Sequence, residues 1–388
     1  MKPGAERMQR LSGNFFDGLN RRLADLQAAG CDVIRLDIGS PDQPPAPHIL
    51  AALSQSAALP GSHGYQPHRG TRSLQEAWSA YYRRTHGVPL DPEKEVVPLL
   101  GSKEGIFHLT LACVNPGDIV LVPDPGYLTY TQAARFAGAQ VYPLPLLPER
   151  GFLPDLQAVP EEIARRARLL WLNYPNNPTA AVAGLDFFSA AVDFARRWGI
   201  LVCHDAAYTQ VTFDGYRAPS LLEVPDCKEV AVEFNTLSKT YNMAGWRVGA
   251  ALGNPEALQA LYRLKTHADS GHFLPILQAA TVALNGDQEW LLARNETYRR
   301  RRDLALDGLR ALDLQPTTPV ASLYIWCPVP PGWTSQAFAA SVLEGACVSL
   351  TPGTVFGAQG EGYVRLSLTA CEERMSAAMQ RMAKWMGK

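Results

Sequence analysis

The feature that most constrains this chain is an alternation. Short, nearly continuous apolar runs at 96–100, 119–122, 169–172, 200–203, 230–234 and 248–252 are separated by segments of helical character. One such segment carries Ile106, Leu109 and Cys113 on one face. Another, 128–136, is stopped by Gly138, and a third, 186–198, is closed by Gly199. Runs that are apolar throughout, rather than every second residue, suit strands covered on both sides. The pattern therefore predicts an α/β fold: a large domain with a mainly parallel sheet covered by helices on both faces. The last hundred residues change character. A long polar helix at 288–312 precedes two alternating segments, 323–326 and 363–368, with a helix near 335–345 between them, which reads as a smaller α+β domain. The proline-rich 44–47 is the linker candidate, so the expected division is 44–270 for the large domain and 1–43 with 271–388 for the small one.

Local signals refine this. Leu19, Leu23 and Leu26 recur at helical spacing ahead of Gly30. A helix is expected to start at Ser73, with Glu76 completing a capping box. The basic run of Arg294 and Arg299 to Arg302 reads as a solvated helix face without function.

Composition excludes several classes. A formal net charge of −1 offers no electrostatic case for nucleic acid or an anionic membrane. No apolar run approaches the ~18 residues that span a bilayer, and the first ten residues lack a signal-peptide core. The seven cysteines form no C-x-x-C pair and are odd in number, which favours a reduced compartment over a disulfide scaffold, with most of them as core residues. A cytoplasmic protein is expected.

In doubly wound sheets, ligands gather at the carboxyl ends of the strands, and the chemically unusual residues of this chain fall there. Gly101, Ser102 and Lys103 end one apolar run and open a helix, a backbone anion site. Asn177 follows a second run, Asp205 ends a third, and Tyr208 lies three residues on. The fourth runs into N-T-L-S-K-T-Y-N-M-A-G-W-R-V-G at 235–249. There Lys239 can form a Schiff base with an aldehyde, while Thr236, Ser238 and Arg247 can hold a phosphate. Pyridoxal phosphate carries both groups. Arg365 alternates with Val364, Leu366 and Leu368, so it points to the other face of its strand.

These segments, in this order, resemble the class I/II aminotransferases of the aspartate-aminotransferase fold, the type I fold of pyridoxal-phosphate enzymes. The resemblance spans residues 38–368: Y-Q-P-H-R-G at 65–70, G-S-K at 101–103, P-G-Y at 125–127, N-Y-P-N-N-P-T at 173–179, H-D-x-x-Y at 204–208, S-K to R at 238–247, and Arg365. The wording at 173–179 and 237–247 is most similar to the branch holding LL-diaminopimelate, aspartate and alanine aminotransferases.

The resemblance implies roles. Lys239 would hold the cofactor covalently and shuttle the substrate proton, with Asp205 and Tyr208 as the other catalytic residues. Asp205 would pair with the ring nitrogen, Asn177 and Tyr208 would hydrogen-bond the phenolic oxygen, and Tyr127 would stack on the ring. Gly101, Ser102, Lys103, Thr236, Ser238 and Arg247 would cradle the phosphate, and Tyr65 would reach the phosphate of a neighbouring subunit, making a homodimer with shared sites. Gly39, Lys103, Asn177 and Arg365 would bind substrate, Arg365 as a bidentate clamp on the α-carboxylate. No metal is implied.

The implied reaction moves the α-amino group of an amino acid, of LL-diaminopimelate, aspartate/glutamate or alanine type, to a 2-oxo acid such as 2-oxoglutarate, in a ping-pong cycle. A cysteine-type β-lyase on the same scaffold is the alternative. A transcription regulator on this fold would need an added helix-turn-helix domain, for which a resemblance beginning near residue 38 leaves no room. Lys103, Arg69 and His272 are the candidate cations for a distal carboxylate, with His272 more simply a solvated loop residue. Three departures stand out. Ala180 replaces a usual glycine and, as an unstrained alanine, should have negative φ. Leu128 replaces a frequent proline. Phenylalanine stands at 15 or 16, where the diaminopimelate branch offers a tyrosine hydroxyl, and this counts against a diaminopimelate substrate.

Overall fold

A computed structural model describes residues 4–11, 13 and 15–388. Twelve strands occur among them: β1 (Ile34–Arg35), β2 (Val96–Leu99), β3 (Ile119–Asp124), β4 (Gln140–Pro145), β5 (Ala167–Leu172), β6 (Leu201–Asp205), β7 (Ala231–Thr236), β8 (Gly249–Gly253), β9 (Tyr324–Pro328), β10 (Val348–Ser349), β11 (Thr351–Pro352) and β12 (Tyr363–Ser367). Seven of them form one sheet in the order β2-β8-β7-β6-β5-β3-β4. Within it β8 runs against both its neighbours, and the other pairs are parallel. Successive strand residues feed opposite cores. On β5, Leu170 and Leu172 join Trp78, Tyr82 and Val202 on one face, while Leu169 and Trp171 join Ile106, Val120 and Phe234 on the other. Burying such a side chain on each face is worth about 1.5–3 kcal/mol apiece, which is why these runs carry no polar alternation.

The remaining strands form a three-stranded antiparallel sheet, β11-β12-β9, and a parallel pair, β1 with β10. They enclose a separate core around Ile325, Phe338, Leu366 and Met375. The chain's beginning and end meet there.

Four local expectations are corrected. The helix expected from Ser73 is Arg72–His86, capped by the Thr71 hydroxyl accepting from the Leu74 N–H. No capping box forms, because Glu76 turns to Arg72 at 2.7 Å, an i,i+4 pair. The basic run is a solvated face only at Arg299 and Arg300. Arg294, Arg301 and Arg302 of the helix Trp290–Ala311 are buried. Each spends its fork on acceptors of distant segments: Arg294 on the carbonyls of Lys239, Thr240 and Gln210, Arg301 on Asp42 and the Leu368 carbonyl, Arg302 on Asp214 and the Pro319 carbonyl. The cysteines are not all reduced, since Cys31 and Cys347 form a disulfide. They are 316 residues apart and meet because the parallel pairing of Ile34 with Val348 aligns the segments just before each. Finally, Ala180 has φ +59°, not negative. Asn176 closes the turn around it, accepting from the Ala180 N–H at 3.0 Å and donating to the Ala181 carbonyl at 2.8 Å. That geometry demands the left-handed region, at a cost of about 1–2 kcal/mol for an alanine.

Candidate active site

The carboxyl ends of β5, β6 and β7, with β12 opposite, enclose a cavity of about 360 Å³. Lys239, Asp205, Tyr208, Asn177, Arg365 and Tyr127 line it together, along with Gly39, Ser102, Lys103, Thr236, Ser238 and Arg247.

Lys239 sits on a single helical turn, Leu237–Thr240, immediately after β7. Its Nζ donates to the Gly39 carbonyl, the only partner shown for it among the described residues. Burial, then the charges of Arg365 and Arg247, push its pKa down to about 8. Gly39 has to be glycine here, since a Cβ would lie 2.0 Å from the Tyr324 hydroxyl.

Asp205 ends β6, buried. Its Oδ2 accepts from the Tyr130 hydroxyl at 2.8 Å, and its backbone carbonyl accepts from Asn173 Nδ2 at 2.6 Å. Burial pushes its pKa up to about 6, with Tyr130, His204 and Lys239 pulling the other way. Its Oδ1 is buried with no hydrogen-bond partner among the described residues. Tyr208 OH lies 2.9 Å from Tyr324 OH, and burial followed by that neighbour raises its pKa.

Arg365 arrives from the small sheet. Nη1 donates to Asn177 Oδ1 at 2.8 Å and Nη2 to the Asp37 carbonyl at 2.9 Å, while the guanidinium lies 4.2 Å from the Tyr324 ring centroid and 4.7 Å from that of Phe356. Its Nε is buried and unpartnered among the described residues. Arginine on two rings, with one donor open, is preorganised for a planar anion. Asn173 Oδ1 takes the Asn177 N–H at 2.8 Å, so one asparagine braces both Asp205 and the Arg365 partner.

The anion cradle forms where the helix Ser102–Cys113 begins. Gly101 has φ +81°, and a Cβ on it would lie 2.3 Å from Arg247 Nη2. A Cβ on Gly249 would lie 3.0 Å from the Ser102 nitrogen. Thr236 and Ser238 hydroxyls are 2.9 Å apart beside them. Backbone N–H groups at a helix N-terminus, a guanidinium and two hydroxyls make a phosphate site. The orphaned Asp205 oxygen is what a protonated ring nitrogen would satisfy, and Lys239 is the amine an aldehyde requires. These residues fit pyridoxal phosphate.

Not every expected residue converges. Tyr65 is 94% exposed and lies outside the cavity. Arg69 donates to the Glu93 carbonyl and covers the Tyr262 ring, and it does not line the cavity. His272 is a half-buried loop residue: its Nε2 is 2.6 Å from the Arg247 carbonyl, and burial lowers its pKa. Of the three candidate cations only Lys103 lines the cavity. Sequence reasoning missed Tyr130, Asn173 and Tyr324, and also Arg35, which pairs with the buried Asp37 at 2.6 Å on the cavity wall. Arg35 and Asp37 share one strand face at i,i+2, a signal that was available. Phe16 lines the cavity as well.

Residues 31–382 match the family model for aminotransferase class I and II. The LL-diaminopimelate aminotransferase of Desulforudis audaxviator is 50% identical over 384 residues, covering 99% of this chain and 98% of that protein. That of Moorella thermoacetica is 47% identical, with the same coverage. Among solved structures, substrate-bound BacF from Bacillus subtilis superposes with a TM-score of 0.95 at 36% identity, covering 99% of this chain and 98% of that one. The aspartate aminotransferase of Thermus thermophilus with maleate gives 0.92 at 31% identity, covering 99% and 100%. A type I fold, a cavity built for pyridoxal phosphate and full-length relatives of this kind agree: the chain belongs to the class I and II aminotransferases and is a pyridoxal-phosphate-dependent transaminase.

Proposed function

We propose that Lys239, Asp205 and Arg365 carry the reaction in this cavity, moving the α-amino group of a diaminopimelate-, aspartate/glutamate- or alanine-type amino acid to a 2-oxo acid such as 2-oxoglutarate. The observation that carries this is a half-buried lysine of lowered pKa sharing one cavity with an open arginine donor and an unsatisfied aspartate oxygen. Pyridoxal phosphate, when bound, supplies the electron sink that stabilises negative charge at the substrate α-carbon. The chain's residues supply the rest. Arg365, with Asn177 and the Asp37 carbonyl fixing its plane, orients the substrate carboxylate, and the Gly39 backbone closes on it. Lys239, partly neutral near pH 8, takes the α-proton and returns it. Asp205, held by Tyr130, would keep a negative charge against the ring nitrogen. Tyr208 and the amide nitrogen of Asn177 would donate to the phenolic oxygen, and Tyr127 would cover the ring. Gly101, Ser102, Lys103, Thr236, Ser238 and Arg247 would hold the phosphate.

The extreme exposure of Tyr65 supports a homodimer in which it completes the neighbouring site. Separate cores for the two sheets support the 44–270 division. No helix among the described residues is long and apolar enough to cross a membrane, and a cytoplasmic location remains part of this reading. Half-reactions against a panel of amino acids, followed by loss of the bound cofactor's absorbance, test the substrate class. Release of pyruvate and ammonia from a cysteine analogue with no 2-oxo acid needed would replace the transamination assignment with β-elimination.

A further inference from the structure

A second cavity, of about 590 Å³, adjoins the first. Four residues, Phe16, Lys103, Tyr127 and Leu128, line both, so the two spaces share a wall. Beyond that wall the lining changes. Phe15, Phe107, Pro352 and Val355 supply apolar surface, and the polar residues are neutral, Gln132 and Gln336 among them. Among the described residues Lys103, at the junction, is the single charged one in the lining, and none of them is a carboxylate.

We infer that this second cavity is the side-chain subsite of the enzyme and takes long, largely apolar amino donors, aromatic rings included, while short dicarboxylates stop at Lys103. The inference rests on the transaminase reading of the first cavity and deepens it. A distal carboxylate needs a cation, and with Arg35 paired to Asp37 and Arg247 and Arg365 given to the phosphate and α-carboxylate, the side chain left for it is Lys103, where the cavities meet. A side chain passing that point enters a space walled mainly by rings and aliphatic carbon, with neutral polar groups between them, where a flat apolar group gains contact and leaves no charge unpaired. A distal ammonium passing the same point finds a cation behind it and no anion ahead among the described lining residues, so it is desolvated without compensation. Free diaminopimelate carries a carboxylate and an ammonium at its far end; Lys103 can meet the carboxylate, but the ammonium beside it is left unpaired next to that cation, which disfavours it relative to a phenylalanine-like donor. Leu128, in place of the family's frequent proline, puts a flexible apolar side chain on the shared wall.

The test uses the holoenzyme and two variants that fill the outer cavity, Val355→Trp and Gln336→Trp. Gln336 is exposed on the helix Ser335–Ala346, so the second variant retains the fold if the first does not. Half-reaction rates with phenylalanine, glutamate and LL-diaminopimelate are followed by the bound cofactor's absorbance. Binding of 3-phenylpropionate, which has no amino group and cannot react, is measured by calorimetry. The expected result is that phenylalanine reacts faster than diaminopimelate. Each variant lowers its efficiency, and 3-phenylpropionate affinity, by about tenfold or more while glutamate changes less than about twofold. Equal losses for phenylalanine and glutamate, no loss for either, or a wild type that uses glutamate and diaminopimelate but not phenylalanine would overturn the subsite. The last is also the outcome expected if a second copy of the chain fills the cavity. If no donor reacts at all, the transaminase reading fails, and calorimetry with 3-phenylpropionate still decides whether the outer cavity binds such a group.

Discussion

His204 and Asp205 are consecutive on β6 and face opposite sides of the sheet, and the two sides treat buried charge in opposite ways. On the His204 side lies Glu233, paired with His204 across β6 and β7 and wholly buried. It accepts from His204 Nδ1 at 2.8 Å, Tyr82 OH at 2.6 Å, Ser220 Oγ at 2.8 Å and the Leu221 N–H at 2.8 Å. Burial alone would raise its pKa, yet His204, His86 and Tyr82 outweigh that and hold it below the ordinary value. On the other side Asp205 has one oxygen paired and one bare, and its pKa rises. Two lysines repeat the contrast. Lys265, fully buried, is closed by Asp269 at 2.8 Å and Glu104 at 3.3 Å, whereas the half-buried Lys239 meets a carbonyl and the charges of two arginines. A closed polar network stabilises the fold, and an open one is held ready for a ligand.

The contrast can be broken by substitution. The largest effect should come from Asp205→Ala, which lowers transamination by about 10²–10⁴-fold while leaving the urea unfolding free energy of the cofactor-free protein unchanged or higher. Glu233→Ala should do the reverse, costing about 3–5 kcal/mol of stability because it strands His204, Tyr82 and Ser220. If both variants lose stability alike, the distinction between open and closed carboxylates fails.

A smaller effect is expected at Arg365→Lys. The charge survives and the fork is lost, so kcat/KM should fall roughly tenfold to a hundredfold, and an unchanged value would remove Arg365 from substrate binding.

pH sharpens the comparison further. Asp205 has a folded pKa of about 6, above the ordinary 3.8. Its contribution to the stability of the cofactor-free protein is full below 3.8 and is lost as pH rises through about 6. Glu233 is depressed below 4.5, so its contribution is full above that value and is lost as pH falls through its folded pKa. Relative to Asp205→Asn, the cofactor-free wild type should therefore weaken between pH 4 and 6 by on the order of 1–3 kcal/mol. A flat difference across that range would mean that Asp205 is solvated or paired. The smallest effect is at Lys103→Ala, which should raise KM for glutamate several times more than for alanine, roughly the worth of one charge-assisted bond. Equal shifts for both donors would deny Lys103 a selective role.

Much of this site was legible because its residues interrupt apolar runs. Asp205, Lys239 and Asn177 are polar groups where a buried strand ends, and burial makes them expensive unless used. Tyr130 and Tyr324 were not legible, since an aromatic inside an apolar helix or strand reads as core until the hydrogen bond on its hydroxyl is seen. Arg294, Arg301 and Arg302 were misread for the opposite reason: their partners are mostly backbone carbonyls of distant turns, which leave no mark in the sequence. The edge strand β4 escaped because Pro143 and Pro145 and its half-exposed side chains mask the apolar run. The pairing of Cys31 with Cys347 depends on a two-residue strand contact between the ends of the chain, below the reach of periodicity.

The central claim is that Lys239 is the open amine of this chain, and the most direct measurement is borohydride reduction of the holoenzyme followed by peptide mapping. The account predicts a single reduced pyridoxyl group on Lys239, abolished in Lys239→Ala. A label on Lys103, on Lys265 or on any other lysine of the wild type would contradict it.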